Sequence, residues 1–330
     1  MLGKKAMLGD QINWVYVLIA GSLIMIFFIS IIYKEKQLSD EKIAIESIKA
    51  IDSLLSQPAR SSQIVKFPGL NLQASCDYGI TSLRIGTSSD IKPYEPVFSS
   101  SNVKSNEMIT MTEEWLVPYK VTNFVFLTGN DSRFVIMYDG AEWKPFAELL
   151  YNSLPEQSNK KVYSVTDIIP DQNNRRVVLI GVGTEPKVPG WLSPGAKQLL
   201  LKVLPDNSKD NFGQLVYCSR SGSSVACGET EDYFGMPMLL GALYTDNKKE
   251  FDCRMIKATE RLTIVSSVYY NRADSLSRKA TSSCSGKYNL EELQKLAEPD
   301  QISIQEIYDA SKALETQNTR ELLASCPTIY

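Results

Sequence analysis

Trp14-Val-Tyr-Val-Leu-Ile-Ala-Gly-Ser-Leu-Ile-Met-Ile-Phe-Phe-Ile-Ser-Ile-Ile-Tyr33 is an unbroken apolar run without a charged residue. A helix rises about 1.5 Å per residue, so about 20 such residues cross the ~30 Å hydrocarbon core of a bilayer. Trp14, Tyr16 and Tyr33 stand near its ends, where amphipathic rings favour the membrane interface. A cleaved secretory signal has a shorter apolar region closed by small residues, whereas Tyr33-Lys34-Glu35-Lys36 follows here. The run therefore predicts a transmembrane helix over 13–33, preceded by a short cytoplasmic terminus over 1–12.

Basic residues do not orient the span, because Lys4 and Lys5 lie on one side and Lys34, Lys36 and Lys42 on the other. The cysteines do. All six, Cys76, Cys218, Cys227, Cys253, Cys284 and Cys326, follow the span, and an even set of thiols reads as disulfides outside the cytoplasm. Asn130-Asp131-Ser132 adds a glycosylation sequon in the same stretch, with Asn130 the acceptor. The expected partners are thus a lipid bilayer and extracytoplasmic proteins. Net charge is -3 with no basic stripe, which excludes a nucleic-acid reading.

Lys34 to Gln57 contains neither Gly nor Pro and carries Ala44, Ile48, Ile51 and Leu55 at helical spacing. This predicts a juxtamembrane stalk helix over 34–57, stopped at Pro58. Gln11 to Gln57 as one helix is about 70 Å long and leaves roughly 40 Å beyond the hydrocarbon core. Two readings of the apolar stripe stay open: it docks on the protein's own head, or it mediates self-association with neighbouring subunits.

Beyond Pro58 short β-rich runs alternate with turn residues, among them Ile64 to Phe67, Ser82 to Ile85 and Glu114 to Pro118. Asn123 to Leu127 and Arg133 to Tyr138 flank a turn-rich Thr-Gly-Asn-Asp-Ser and predict a hairpin, in which Asp131 and Asp139 are turn residues. A helix over Ala141 to Leu154 precedes strands at Val162 to Ile169 and Val177 to Val182. Gln214 to Ser219 and Ser224 to Gly228 predict a second hairpin that sets Cys218 opposite Cys227. Residues 58–246 thus form an extracytoplasmic mixed α/β domain. Asn247 with Glu250, Asn289 with Glu292 and Ser303 with Glu306 mark helix starts in a helical region over 247–330.

The whole reads as an α+β protein: a long N-terminal transmembrane and stalk helix, a mixed α/β head and a C-terminal antiparallel helical hairpin. An antiparallel pair of long helices would bring Cys253 to Cys326, leaving Cys76 for Cys284.

Chemistry-bearing motifs are few. There is no histidine, which removes Ser-His-Asp triads and histidine-based zinc sites. Gly181-Val-Gly183-Thr-Glu-Pro186 follows a strand but has Pro186 where a dinucleotide loop has its third glycine, so it reads as a turn. Ser89/Lys92, Ser101/Lys104 and Ser158/Lys161 share the spacing of Ser-Lys nucleophiles, in polar loops. Glu229, Glu231 and Asp232 form the densest acidic cluster without calcium-loop spacing. The sequence therefore nominates no catalytic residue, cofactor or metal.

An apolar helix that becomes amphipathic ahead of a head domain resembles the plan of type IV pilins. Lys4-Lys5-Ala6 followed by Met7 looks like the basic leader of archaeal prepilins, which implies processing between Ala6 and Met7. The glutamate that such families carry at the fifth mature position is replaced here by Gln11, with Asp10 one place before it. Ile19 to Leu55, Val117-Pro-Tyr-Lys-Val-Thr-Asn-Phe124 and Ser325-Cys-Pro-Thr-Ile-Tyr330 resemble uncharacterised single-pass surface proteins of archaea. The resemblance implies a membrane-anchored structural or interaction protein, a pilin-like component of a surface assembly. The alternatives are an extracytoplasmic hydrolase or a ligand-binding ectodomain.

Overall fold

The computed structural model describes residues 3–55, 61–85, 88–92, 96–167, 175–182, 199–206, 212–221, 224–279, 284, 288–298 and 302–330. Helix α1 (Gly3–Leu55) runs without interruption through the apolar run and the segment after it. Trp14–Lys36 is long and apolar enough to cross a membrane, with none of it buried against the head. Its 23 residues span about 35 Å. Ala6, Met7, Asp10 and Gln11 belong to the helical backbone. Their side chains, and those of Ala44, Ile48, Ile51 and Leu55, lie outside the described residues, as do Gln57 and Pro58.

Six strands form the first sheet: β1 (Ser62–Asp77), β2 (Ile80–Ile85), β3 (Ser88–Lys92), β4 (Val97–Ser99), β5 (Asn102–Val117) and β6 (Tyr119–Gly129). They stand in the order β3-β2-β1-β5-β6-β4, antiparallel except for β4 alongside β6. α1 approaches the β2–β3 edge. Tyr78 and Gly79 join β1 to β2 with φ of 46° and 76°, the doubly positive turn that matches strand twist. Pro118, which has no N–H to offer a ladder, makes the turn between β5 and β6.

The second sheet takes β7 (Arg133–Tyr138), β8 (Asn159–Ser164), β9 (Arg175–Ile180), β10 (Leu199–Pro205), β11 (Phe212–Ser221) and β12 (Ser224–Phe234). Its order is β12-β11-β10-β9-β7-β8, with β8, β7, β9 and β10 parallel and β11 and β12 antiparallel. A 3-10 turn, Ala141–Trp143, and α2 (Lys144–Ser153) carry the chain from β7 to β8. The expected hairpin between Asn123–Leu127 and Arg133–Tyr138 is therefore replaced. β6 already has β5 and β4 on its two edges, so the turn at Asn130–Ser132 hands the chain to the other sheet. β7 suits an interior position because both its faces are apolar: Phe134 and Ile136 enter one core cluster, Val135 and Met137 another.

The main core lies between the sheets. Phe98, Trp115, Phe124 and Phe126 of the first meet Phe134, Ile136, Val178 and Leu201 of the second across α3 (Met236–Tyr244), whose residues from Met238 onward are buried. Each such side chain removed from water stabilises the fold by about 1.5–3 kcal/mol. Gly241 lets α3 approach closely: a Cβ there would stand 2.8 Å from the Phe98 ring.

The C-terminal region supplies α4 (Lys248–Lys279), α5 (Glu291–Ala297) and α6 (Ile304–Leu323). α5 packs on both α4 and α6, and α6 packs on β12 and β5. The start signals act in three ways. Asn247 Oδ1 accepts from the Glu250 amide at 3.0 Å, and Ser303 with Glu306 completes a reciprocal capping box. Asn289 accepts from Glu291 rather than Glu292, because Leu290 is the N-cap of α5.

All six cysteines are paired, as Cys76–Cys253, Cys218–Cys227 and Cys284–Cys326. Cys218 and Cys227 face each other across β11 and β12. The expected Cys253–Cys326 and Cys76–Cys284 bridges do not form. The beginning of α4 packs on β1 and β2, where the Gly79 amide reaches the Cys253 sulfur, so Cys253 meets Cys76. α4 and α6 converge at their C-terminal ends, so Cys284, just past the one, meets Cys326, just past the other.

Candidate functional site

Where β9, β4 and the end of α3 meet, the sequence places charges among apolar residues. Arg176 is the second residue of β9, just before the apolar Val177-Val-Leu-Ile180, and Arg254 follows Phe251 on the buried face of α4. Both guanidinium groups are removed from solvent, with Arg176 6% and Arg254 0% exposed. Arg176 Nη1 donates to the carbonyls of Leu243 at 2.5 Å and Thr245 at 3.1 Å. A cation at the end of α3 also suits the helix dipole. Its Nη2 donates to Ser100 Oγ and to Asp246 Oδ1, the latter at 3.0 Å.

Asp246 completes the link, because its other oxygen accepts from the Ser101 amide at 2.7 Å. Arg254 reaches the same strip, donating to the Ser99 carbonyl at 2.6 Å and to Glu250 at 3.1 Å. Tyr217 donates to the Ala242 carbonyl and lies 2.8 Å from Thr245 Oγ1. One cluster thus ties Ser99 of β4 and the Ser100 and Ser101 that follow it to β9 and β11 of the second sheet through the end of α3. Burial opposes the charge on Asp246, but Arg176 and the Ser101 amide outweigh it and hold the carboxyl below its usual range. Burial likewise draws both arginines down, opposed by Asp246 for Arg176 and by Glu250 and Asp246 for Arg254.

Most of these donors are met within the fold, while Arg254 Nε is buried without a hydrogen-bond partner. A guanidinium does not act as a base. The arrangement clamps the two sheets together. Arg176 is buried whereas the Asp246 side chain is 39% exposed, so the cost of removing the arginine falls on the enclosed carbonyls it serves, typically about 1–3 kcal/mol.

The motifs from the sequence fall elsewhere. Gly181 ends β9 with φ of 71°, and the Trp143 ring occupies the place a Cβ would take; Gly183 to Pro186 lie outside the described residues. Ser158 is buried and donates to the Pro155 carbonyl at 2.6 Å, so no Ser-Lys pair acts there. Ser101 is bound through its amide to Asp246, and the side chains of Ser89 and Lys92 lie outside the described residues. Glu231 pairs with Lys248 at 2.7 Å, joining β12 to α4, while Asp232 accepts from Gln214. Among the described residues no group of three His, Cys, Asp or Glu side chains is arranged to hold a metal ion.

Asn130 is exposed at the turn between the sheets, its amide donating to Glu107 at 2.7 Å. The segments Val117–Phe124 and Ser325–Tyr330 lie together. Tyr119 stacks on Tyr269 at 4.3 Å between ring centres and meets Tyr330 at 5.6 Å, and its hydroxyl bonds Ser266. Burial pushes the Tyr119 hydroxyl up to about 12.

The sequence reading missed Arg176, Arg254 and Asp246. A signal was present in the Glu250/Arg254 pair at i, i+4 beside Phe251, which places a charge on the apolar face of a helix. No protein-family model, no curated protein and no solved structure matches this chain.

Proposed function

We propose that the protein is a membrane-anchored extracytoplasmic module whose head serves a structural or interaction role. The observation that carries this reading is the union of Trp14–Lys36, apolar and wholly exposed, with a head whose six cysteines are all in disulfides. An exposed apolar helix of that length is stable only in lipid or against another apolar surface, and structural disulfides persist in oxidising compartments. Because α1 continues as far as Leu55, the head stands off the bilayer on a helical stalk. The hydrogen bonds of Arg176, Asp246 and Arg254 join the two sheets, which suits a rigid head.

The finer proposal is a pilin-like component of a surface assembly. It rests on Lys4-Lys5-Ala6 before Met7 and on the stalk segment, with self-association through α1. Alkaline carbonate extraction, thiol labelling and mass analysis on native membranes test the reading together. The expected chain stays in the membrane pellet, takes up an impermeant maleimide on all six cysteines only after reduction, and begins at Met7. Release by carbonate, or thiols labelled without reduction, would overturn the anchored extracytoplasmic reading. An intact Met1, or a strictly monomeric chain in mild detergent, would overturn the pilin-like one.

A further inference from the structure

The three disulfides differ in how they face solvent. Cys284 and Cys326 are buried, and Cys76 and Cys253 are half-buried where α4 packs on β1 and β2. The Cys218–Cys227 bridge is lopsided. Cys218 is 6% exposed, within the apolar cluster of Val177, Leu200 and Val216, while Cys227 is the one exposed cysteine of the six. Its place in the fold explains the difference: β12 is an edge strand, and Ala226, Gly228, Glu229 and Thr230 around the cysteine are exposed as well.

In thiol–disulfide exchange a thiolate approaches one sulfur from the side opposite the bond that breaks, so access decides which sulfur is attacked. The exposed Cys227 offers that approach; Cys218, enclosed in the core cluster, does not.

We propose that Cys227 is a reversible S-thiolation site for low-molecular-weight thiols. The incoming thiolate bonds to the Cys227 sulfur and the bond to Cys218 breaks. The Cys218 sulfur leaves with the bonding pair and takes the proton that the incoming thiol gave up. One S–S bond replaces another, so the step needs no further oxidant or reductant. The head tolerates the opening, because the bridge closes a separation of only 9 residues, against 177 and 42 for the other two. Ladder pairs also hold β11 to β12 on both sides of it, Phe212–Val216 with Thr230–Phe234 and Ser219–Ser221 with Ser224–Ala226. Those pairs keep the released Cys218 opposite Cys227, and this enforced nearness re-forms the bridge once the thiol is removed. The site rests on the head's cysteines and holds whether or not the chain assembles through its stalk.

The full chain, purified in detergent without reductant, is incubated with reduced glutathione, quenched with N-ethylmaleimide and mapped as non-reduced peptides. The expected product carries glutathione on Cys227 and maleimide on Cys218, formed at least about tenfold faster than any product of the other two bridges. Washing out the glutathione before the quench is expected to restore the bridge. Two single variants test access without exchange: Cys218→Ser leaves Cys227 as a lone exposed thiol, and Cys227→Ser leaves Cys218 as a lone buried one. Maleimide is expected to label the first about tenfold or more faster than the second under native conditions. Glutathione on Cys218, another bridge opening at a comparable rate, no adduct at all, or equal labelling of the two variants would each sink the proposal. A peptide map without Cys218–Cys227 before any thiol is added would overturn the disulfide-bonded head itself, and the site with it.

Discussion

Two carboxylates among the described residues, Asp246 and Glu321, stand in opposite surroundings. Asp246 is met by the Arg176 guanidinium and the Ser101 amide, in a cluster that also holds Arg254 and the carbonyls at the end of α3. Glu321, wholly buried, is met by neutral donors, Gln317 Nε2 at 2.8 Å and the Ile329 amide. A carboxylate beside a cation keeps its charge and ties elements together; one buried among neutral groups resists ionisation. Each lies near its own disulfide, Cys253 being next to Arg254 and Cys326 following the helix of Glu321.

Those disulfides give the largest expected effects. Cys76–Cys253 closes a separation of 177 residues and Cys284–Cys326 one of 42. Loop-closure entropy then predicts losses of about 5 and about 4 kcal/mol for the paired Cys→Ser variants, read from urea unfolding midpoints. If the second pair cost more than the first, the ranking by loop length would fail and the tail's packing would carry the difference. Next comes Arg176→Ala, expected to lose about 1–3 kcal/mol by leaving the carbonyls of Leu243 and Thr245 without their donor. A loss below about 1 kcal/mol, the range of an exposed ion pair, would mean that the clamp is solvated and the contrast with Glu321 is void.

A smaller effect is expected where α6 begins, remote along the helix from Glu321. Ser303→Ala removes the side chain that caps the Glu306 amide and should cost about 1 kcal/mol. Because that cap stands about 18 residues before Glu321 and about 27 Å along the helix, its loss should leave the pH dependence that Glu321 contributes unchanged. A change in that dependence would show that the burial of Glu321 depends on how the start of the helix is seated.

What could be read from the sequence was local. The apolar run at Trp14, the strand alternation around Gln214 to Gly228 and the cap at Ser303 are each decided by neighbours in the chain. What could not be read was decided by partners far along it. Arg133 to Tyr138 was assigned to β6 by proximity, although the four consecutive apolar residues Phe134 to Met137 already suited a strand covered on both faces. The cysteine pairing depended on which ends of α4 and α6 meet, which loop composition does not reveal. Arg176 could be buried only because α3, some seventy residues later, presents its carbonyls. Glu321 was the more legible of the missed residues. It lies two heptads beyond Ile307 on the apolar stripe, where a carboxylate breaks the pattern.

The finest test compares the two acids by pH. Asp246 has a lowered folded-state pKa, so its contribution is present above the unfolded value and fades as acid protonates it. Glu321 is raised, which reverses the sign: its contribution is full below the unfolded pKa and is lost as pH rises through the folded one. Gln317 and the Ile329 amide donate to it, and the nearby Tyr288 and Tyr330 are both held neutral by raised pKa values. Wild type and Glu321→Gln share every other titration, so the difference between their unfolding free energies isolates this carboxyl. Glu321→Gln should be the more stable at neutral pH, and its advantage should shrink as pH falls through the raised value. A difference that stays flat with pH would mean that Glu321 is solvated.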